Sequence, residues 1–369
     1  MRITLVAAIL FAAACGSSPQ LGRPQDEAVT PYRRAEAGSQ GPRSGRAPCL
    51  ADMDPDDGSA APPSRLSQTG CFADLSDFTP AAHVSWFGVN SELYSDGAHK
   101  LRFMALPVTA TLDLNQSLEV APVGMVLIKV FELTAAGAES PNPVEIRFMH
   151  KHNRGWRIFT YRWNAQLQDG ELLHERQVVP MDIQDVNAAA HIDYLYPGEA
   201  DCRMCHNPAT PFILGPRPEQ LDGQFYYQGQ LRRQLEVLAD AGYVKAATVS
   251  TPAWPDPLDP EAGLEGRARS YLATNCSHCH TPGGTTTAAL TLDLRYETTL
   301  ADSHLCDEVQ YFADAGTLRI ARGDPDSSWI VRRLEAHGKM RMPPLGLNLH
   351  DRAGIGVLRD WIAQMTSCP

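Results

Sequence analysis

Two five-residue motifs carry the chemistry that can be read most directly from this chain: Cys202-Arg203-Met204-Cys205-His206 and Cys276-Ser277-His278-Cys279-His280. Two cysteines three apart fall on one helical turn, so both sulfurs reach the two vinyl groups of one haem as thioethers. The histidine that follows points its imidazole at the iron. The pair of motifs predicts two covalent haem c groups, with His206 as proximal ligand of the first iron and His280 of the second. Structural zinc is the competing reading. Its paired Cys-x-x-Cys knuckles lie about 15 to 20 residues apart, whereas here the whole segment from His206 to Asn275 intervenes. A thioredoxin-like redox pair needs a single motif and no trailing histidine.

Sixth ligands are sought among the remaining His and Met residues. Met342 lies in Lys339-Met340-Arg341-Met342-Pro343-Pro344-Leu345-Gly346, some way after the second motif. A thioether there would raise the potential of the second haem, and the proline that follows restricts the methionine backbone. Met342 is the expected ligand, Met340 the alternative, and two core-filling methionines the structural reading. The first haem is different, because no His or Met lies between His206 and Cys276. Its sixth ligand must come from upstream (Met149, His150, His152, His174, Met181 or His191), from the other domain, or from nothing. An open position would bind peroxide or another small ligand.

These groups need elements to hold them, and the 369 residues are enough for about two domains. Hydrophobic residues make up 43% and charged residues 20%, so a core can form and global disorder is excluded. The net charge of -11 argues against nucleic acid as a partner. Short runs rich in β-branched and aromatic residues, at 84–87, 101–104, 126–131, 144–148 and 158–163, predict strands. The expected fold class is α+β and multidomain. A β-rich, sandwich- or barrel-like domain spans 76–200, and a mostly α-helical cytochrome c-like haem domain spans 261–369. Residues 201–260 would hold the first motif and a helical connector, with an amphipathic helix over roughly 224–241 from Leu231, Leu235 and Leu238. A last helix should start at Asp351 and bury Ile355, Leu358 and Ile362.

Residues 1–14 have the layout of a signal peptide: one positive charge, then an apolar run too short to span a bilayer. Cys15 follows directly, which resembles the bacterial lipoprotein signal in which that cysteine is lipidated. Ala12 departs from the leucine usual there, and an ordinary cleaved signal is the plainer alternative. Residues 15–75 read as a lipid-anchored, flexible tether rich in Pro, Gly and Ser. Export favours disulfides, and the remaining cysteines are expected to pair as Cys49–Cys71 and Cys306–Cys368.

The chain resembles a group of bacterial dihaem c-type proteins, often exported or lipid-anchored. The resemblance covers about 85 to 369 and rests on Val89 to Lys100, on Thr160-Tyr161-Arg162-Trp163-Asn164, and on Gly198-Glu199-Ala200-Asp201 leading into the first motif. It continues in Arg267 to Leu272 before Cys276, in Gly323-Asp324-Pro325, and in Met342-Pro343-Pro344-Leu345. It implies a β-rich domain followed by a cytochrome c domain, with the thioether, proximal-histidine and methionine positions given above. It supplies neither substrate nor reaction.

The expected function is electron transfer at the periplasmic or cell-surface side of a membrane, the outer membrane in particular, between redox partner proteins. A peroxidase-like dihaem enzyme with an open first haem is the alternative. A third reading makes the β-rich domain a docking module for a partner protein.

Overall fold

The computed structural model describes residues 49–369, apart from 186–187, 207–212, 246–251, 285, 287–290, 311–312 and 369. The signal segment, Cys15 and the first part of the expected tether lie outside the described residues. A small pair, β1 (Phe72–Asp74) and β2 (Thr79–Pro80), leads into a six-stranded antiparallel sheet. Its strands are β3 (Val84–Trp86), β4 (His99–Ala105), β5 (Val126–Leu133), β6 (Asn142–His152), β7 (Gly155–Asn164) and β8 (Asp169–Leu172). Each pairs with the next in sequence, so the sheet is a meander with β3 and β8 at its edges. All five apolar runs read from the sequence lie in it, and the β-rich part of the expectation fits.

Side chains alternate across such a sheet, and the two faces bury different things. One face carries Leu101, Phe103, Val126, Ile128, Val130, Ile146, Phe148, Phe159 and Tyr161. Cys49, Leu50, Met53, Leu66 and Cys71 close over it, so residues 49–71 are a strap packed on the sheet, pinned by the Cys49–Cys71 disulfide, rather than free tether. The other face carries Met104, Leu127 and Ile158, in one cluster with Cys202 and with Leu235, Leu238 and Tyr243.

A second hairpin, β9 (Gln177–Gln184) with β10 (Ala189–Tyr196), follows the sheet. Next come α1 (Glu199–Cys205) and α2 (Pro218–Leu221). The helix expected over 224–241 is instead a hairpin, β11 (Gln224–Tyr227) with β12 (Gln230–Arg233), and then a short helix α3 (Gln234–Asp240). Gln228 and Gly229 both have positive φ, 52° and 76°. That is the backbone of a two-residue type I′ turn, which glycine favours and which matches the strand twist. Leu231 is consequently 56% exposed on β12 instead of facing a core.

The C-terminal segment overturns the expectation of a mostly α-helical cytochrome c-like domain. Its helices are α4 (Leu264–Asn275), α5 (Trp329–Leu334) and α6 (Arg352–Gln364), of twelve, six and thirteen residues. Turns and loops make up most of the rest of 261–369, and the described chain as a whole is β-rich with six α-helices. Local polar groups compete with helix here. Asp293 Oδ1 accepts from Arg295 N (3.1 Å), Thr299 Oγ1 from Asp302 N (3.2 Å) and Asp324 Oδ1 from Ser327 N (3.0 Å). The three helices still share one core, with Tyr271, Leu272, Val331, Leu358 and Ile362 buried together. Asp351 caps α6 as its sequence suggests, accepting from Gly354 N at 2.9 Å. Cys306–Cys368 ties the chain after α6 back to this core.

Candidate functional site

The first motif sits at the end of α1, which packs on β7. Gly198 N donates to Asp201 Oδ2 at 3.0 Å, and Asp201 also meets Arg176 at 3.1 Å. Acidic residues in that first turn suit the positive end of a helix. Cys202, one turn in, is buried against the sheet. His206 ends the helix, its N–H donating to Cys202 O at 2.9 Å.

The second motif follows α4 as a single tight turn. Cys276 N donates to Leu272 O (2.9 Å), Cys279 N to Cys276 O (3.1 Å) and His280 N to Cys276 O (2.9 Å). Gly284 folds back over it so closely that a Cβ there would lie 2.3 Å from the Cys279 carbonyl oxygen. Only glycine fits that approach.

The segment 88–96 fastens the second motif to the sheet. Asn275, immediately before Cys276, accepts from Tyr94 N at 2.8 Å. Ser91 Oγ donates to Ser270 O at 3.2 Å, and Gln220 bridges Ser91 N (2.8 Å) to Thr274 Oγ1 (3.0 Å). Asp96 accepts from Asn348 N and Leu349 N, each at 2.7 Å, in the loop that carries Met342. Burying these polar groups is tolerable because they are paired.

The consequence is that two motifs distant in sequence meet. Cys205 Sγ, Cys279 Sγ and a ring nitrogen of His278 all lie within 4.8 Å of one another. A hydrogen bond with Cys279, with burial added, pushes the Cys205 thiol well above its usual range. Burial pushes Cys276 up to about 12 and raises Cys202. None of the four motif cysteines is in a disulfide, and these upward shifts keep Cys202, Cys205 and Cys276 protonated at neutral pH.

His280 is lowered to about 4 by burial, so its imidazole is neutral, as metal ligation requires. Its Nδ1 is buried with no hydrogen-bond partner among the described residues. Four cysteines kept out of the two disulfides, with a neutral buried imidazole ending the second motif, are a donor set that fits covalent haem. Met342 is partly buried, and its N–H donates to Arg333 O at 2.9 Å; the Met342–Pro343 bond is cis. Met340 is 39% exposed.

Of the six upstream candidates for the first haem, the sheet separates two sets. His150 and His152 sit on the face opposite Cys202, paired with Arg157 and Gly155 across β7. Their rings stand 4.4 Å apart. His174 is exposed, His191 is held in an exposed ion pair with Asp182 (2.7 Å), and Met181 packs in the cluster around Phe131 and Tyr194. Met149 alone packs against the cluster that contains Cys202.

Sequence reasoning missed two parts of the site. One is His278, an unassigned middle residue of its motif. The other is a band of cations on the Cys202 face. Arg102, Lys129 and Arg147 are direct cross-strand neighbours on β4, β5 and β6, with Lys100 one step along β4. Nothing in their local sequence marks them, because alternation alone reads charged strand residues as solvent-facing.

No family model, curated protein or solved structure matches this chain.

Proposed function

We propose that the chain is an exported dihaem c-type protein that transfers electrons, held to a membrane through Cys15 on the periplasmic or cell-surface side. The observation that carries this reading is the meeting of the two motifs, with Cys205 and Cys279 sulfurs within 4.8 Å. Sulfurs this close would place the attached edges of two haems side by side, the arrangement that exchange of single electrons calls for. Bound haem supplies reversible one-electron chemistry at iron.

In this reading Cys202 and Cys205 anchor the first haem, with His206 on its iron. Cys276 and Cys279 anchor the second, with His280 and Met342 on its iron. Met149, on the same sheet face as Cys202, is the thioether assigned to the first. The resemblance to exported dihaem proteins supports the same function through the residues quoted above. A peroxidase-like enzyme is the alternative if the first haem is open.

A second reading has its own observation. Cys205, His278 and Cys279 form a sulfur–sulfur–nitrogen cluster of the kind zinc prefers. One preparation separates the two. A pyridine haemochrome assay on the exported protein should give two haems per chain, with no stoichiometric zinc by elemental analysis. One zinc and no haem would replace the electron-transfer reading with a structural metal site.

A further inference from the structure

The cation band has no sufficient counter-charge in the described structure. Arg102, Lys129 and Arg147 stand in one row across three adjacent strands, each directly opposite the next. Like charges directly opposite in a sheet repel, and burying them adds a desolvation cost. Lys100 and Arg102 are buried, and Lys129 and Arg147 are half-buried.

Two carboxylates answer four cations. Glu92 meets Arg102 at 3.3 Å and Lys100 at 3.9 Å, while Glu145 meets Arg147 at 2.5 Å. Asp351 adds attraction at Lys100 but none at the centre of the row. Lys129 Nζ has no carboxylate or hydrogen-bond acceptor among the described residues, only the Phe131 ring at 4.9 Å. Arg147 Nε and Glu145 Oε2 are buried with no hydrogen-bond partner among the described residues. Burial first, and then Arg102, Lys100 and Arg147, hold the Lys129 ammonium well below its ordinary range, with Glu92 alone pulling the other way from a distance. An anion is the complement that lets Lys129 keep its charge in such a row.

Its position says which anion. The row lies on the face against which Cys202 packs, two residues along the strands from Met149 and Leu127. The charge of Arg147 is felt at both Cys202 and Cys205. We propose that Arg102, Lys129 and Arg147 form a carboxylate-binding site, and that its occupant is a propionate of the haem attached at Cys202 and Cys205. This rests on the dihaem reading for its occupant, but the carboxylate site itself does not. The same chemistry could be met by a carboxylate from solution, and the test distinguishes the two sources.

Full-length exported protein is assayed for haem content and then titrated spectroelectrochemically. Lys129→Met, which keeps length and removes charge, should shift one of the two midpoint potentials downward and leave the other in place. Lys129→Arg should restore it. Added succinate should move neither potential, because an internal carboxylate already fills the site. A wild-type potential or melting temperature that responds to succinate, with the response lost in Lys129→Met, would overturn the propionate and assign a solution carboxylate. If no potential moves in Lys129→Met and succinate has no effect, the carboxylate site is overturned. Should the haemochrome assay find no haem, the dihaem reading falls separately. The site would then stand open, and succinate must raise the melting temperature of the wild type but not of Lys129→Met, or the site falls too.

Discussion

Along one face of the six-stranded sheet the cross-strand rows read Leu101–Val130–Ile146–Tyr161 and Phe103–Ile128–Phe148–Phe159. One residue further along each strand, the opposite face reads Arg102–Lys129–Arg147–Thr160 and Met104–Leu127–Met149–Ile158. The first face is apolar throughout the middle of the sheet and is closed by a disulfide-pinned strap. The second mixes an apolar row with a charged one and is covered by the helix of the first motif. Both faces are buried, so burial alone does not explain the difference. An apolar face stabilises by area removed from water, whereas a buried charged row weakens the fold unless something outside it is satisfied. The difference teaches that stability and ligand chemistry are divided between the faces of one sheet.

The division breaks first at Phe148. It is fully buried, stacked on Phe159 with ring centroids 5.2 Å apart. Phe148→Ala should cost about 3–5 kcal/mol in urea unfolding, from lost transfer energy and the cavity left behind. Haem content and spectra of the folded fraction should be unchanged. A variant that keeps its stability but alters the haem spectra would show that the faces are not divided in this way.

His150 gives a smaller, pH-dependent effect on the same face. Burial, with His152 and Arg157 beside it, lowers its imidazole to about 4. In the unfolded chain the group takes up a proton near its ordinary value of about 6.5. Between those two values the unfolded state binds more protons, so the stability is complete above about pH 6.5 and is lost as pH falls toward 4. The loss should be on the order of 1–3 kcal/mol. His150→Phe should flatten the fall in urea midpoint between pH 7 and 4.5. An equal slope in both proteins would mean that His150 is not held neutral by its surroundings.

How much of this was legible depends on range. The strands of the meander follow from β-branched and aromatic runs, and α6 from its Asp351 cap and the spacing of Ile355, Leu358 and Ile362. The hairpin Gln224–Arg233 carries two competing local patterns. Leu231, Leu235 and Leu238 fit a helical period, but Phe225-Tyr226-Tyr227 followed by Gln228-Gly229 is a strand and a turn. The loop-rich C-terminal segment was hidden by its own helices, whose periodicity says nothing about the Asp- and Thr-closed turns between them. What no local pattern contains is the meeting of Cys205 with Cys279 and His278. Tertiary hydrogen bonds from Ser91, Tyr94 and Asp96 hold the second motif in place, and these residues carry no signal of their destination.

The smallest effect on stability belongs to Met149, and it tests the ligand face most directly. Leucine matches methionine in volume, so Met149→Leu should cost less than about 1.5 kcal/mol in a partly buried site. If its thioether is the sixth ligand of the first haem, the same change opens that iron. Reduced Met149→Leu should then form a carbon monoxide adduct at one haem of two, while the wild type forms none. In a Met342→His background the weak band near ~695 nm expected of His/Met ligation should come only from the first haem, and Met149→Leu should abolish it. A wild type that already binds carbon monoxide at one haem, unchanged by Met149→Leu, would remove Met149 from the iron. The cation row would then border an open haem rather than a closed one, and the peroxidase-like alternative would have the vacant coordination position it requires.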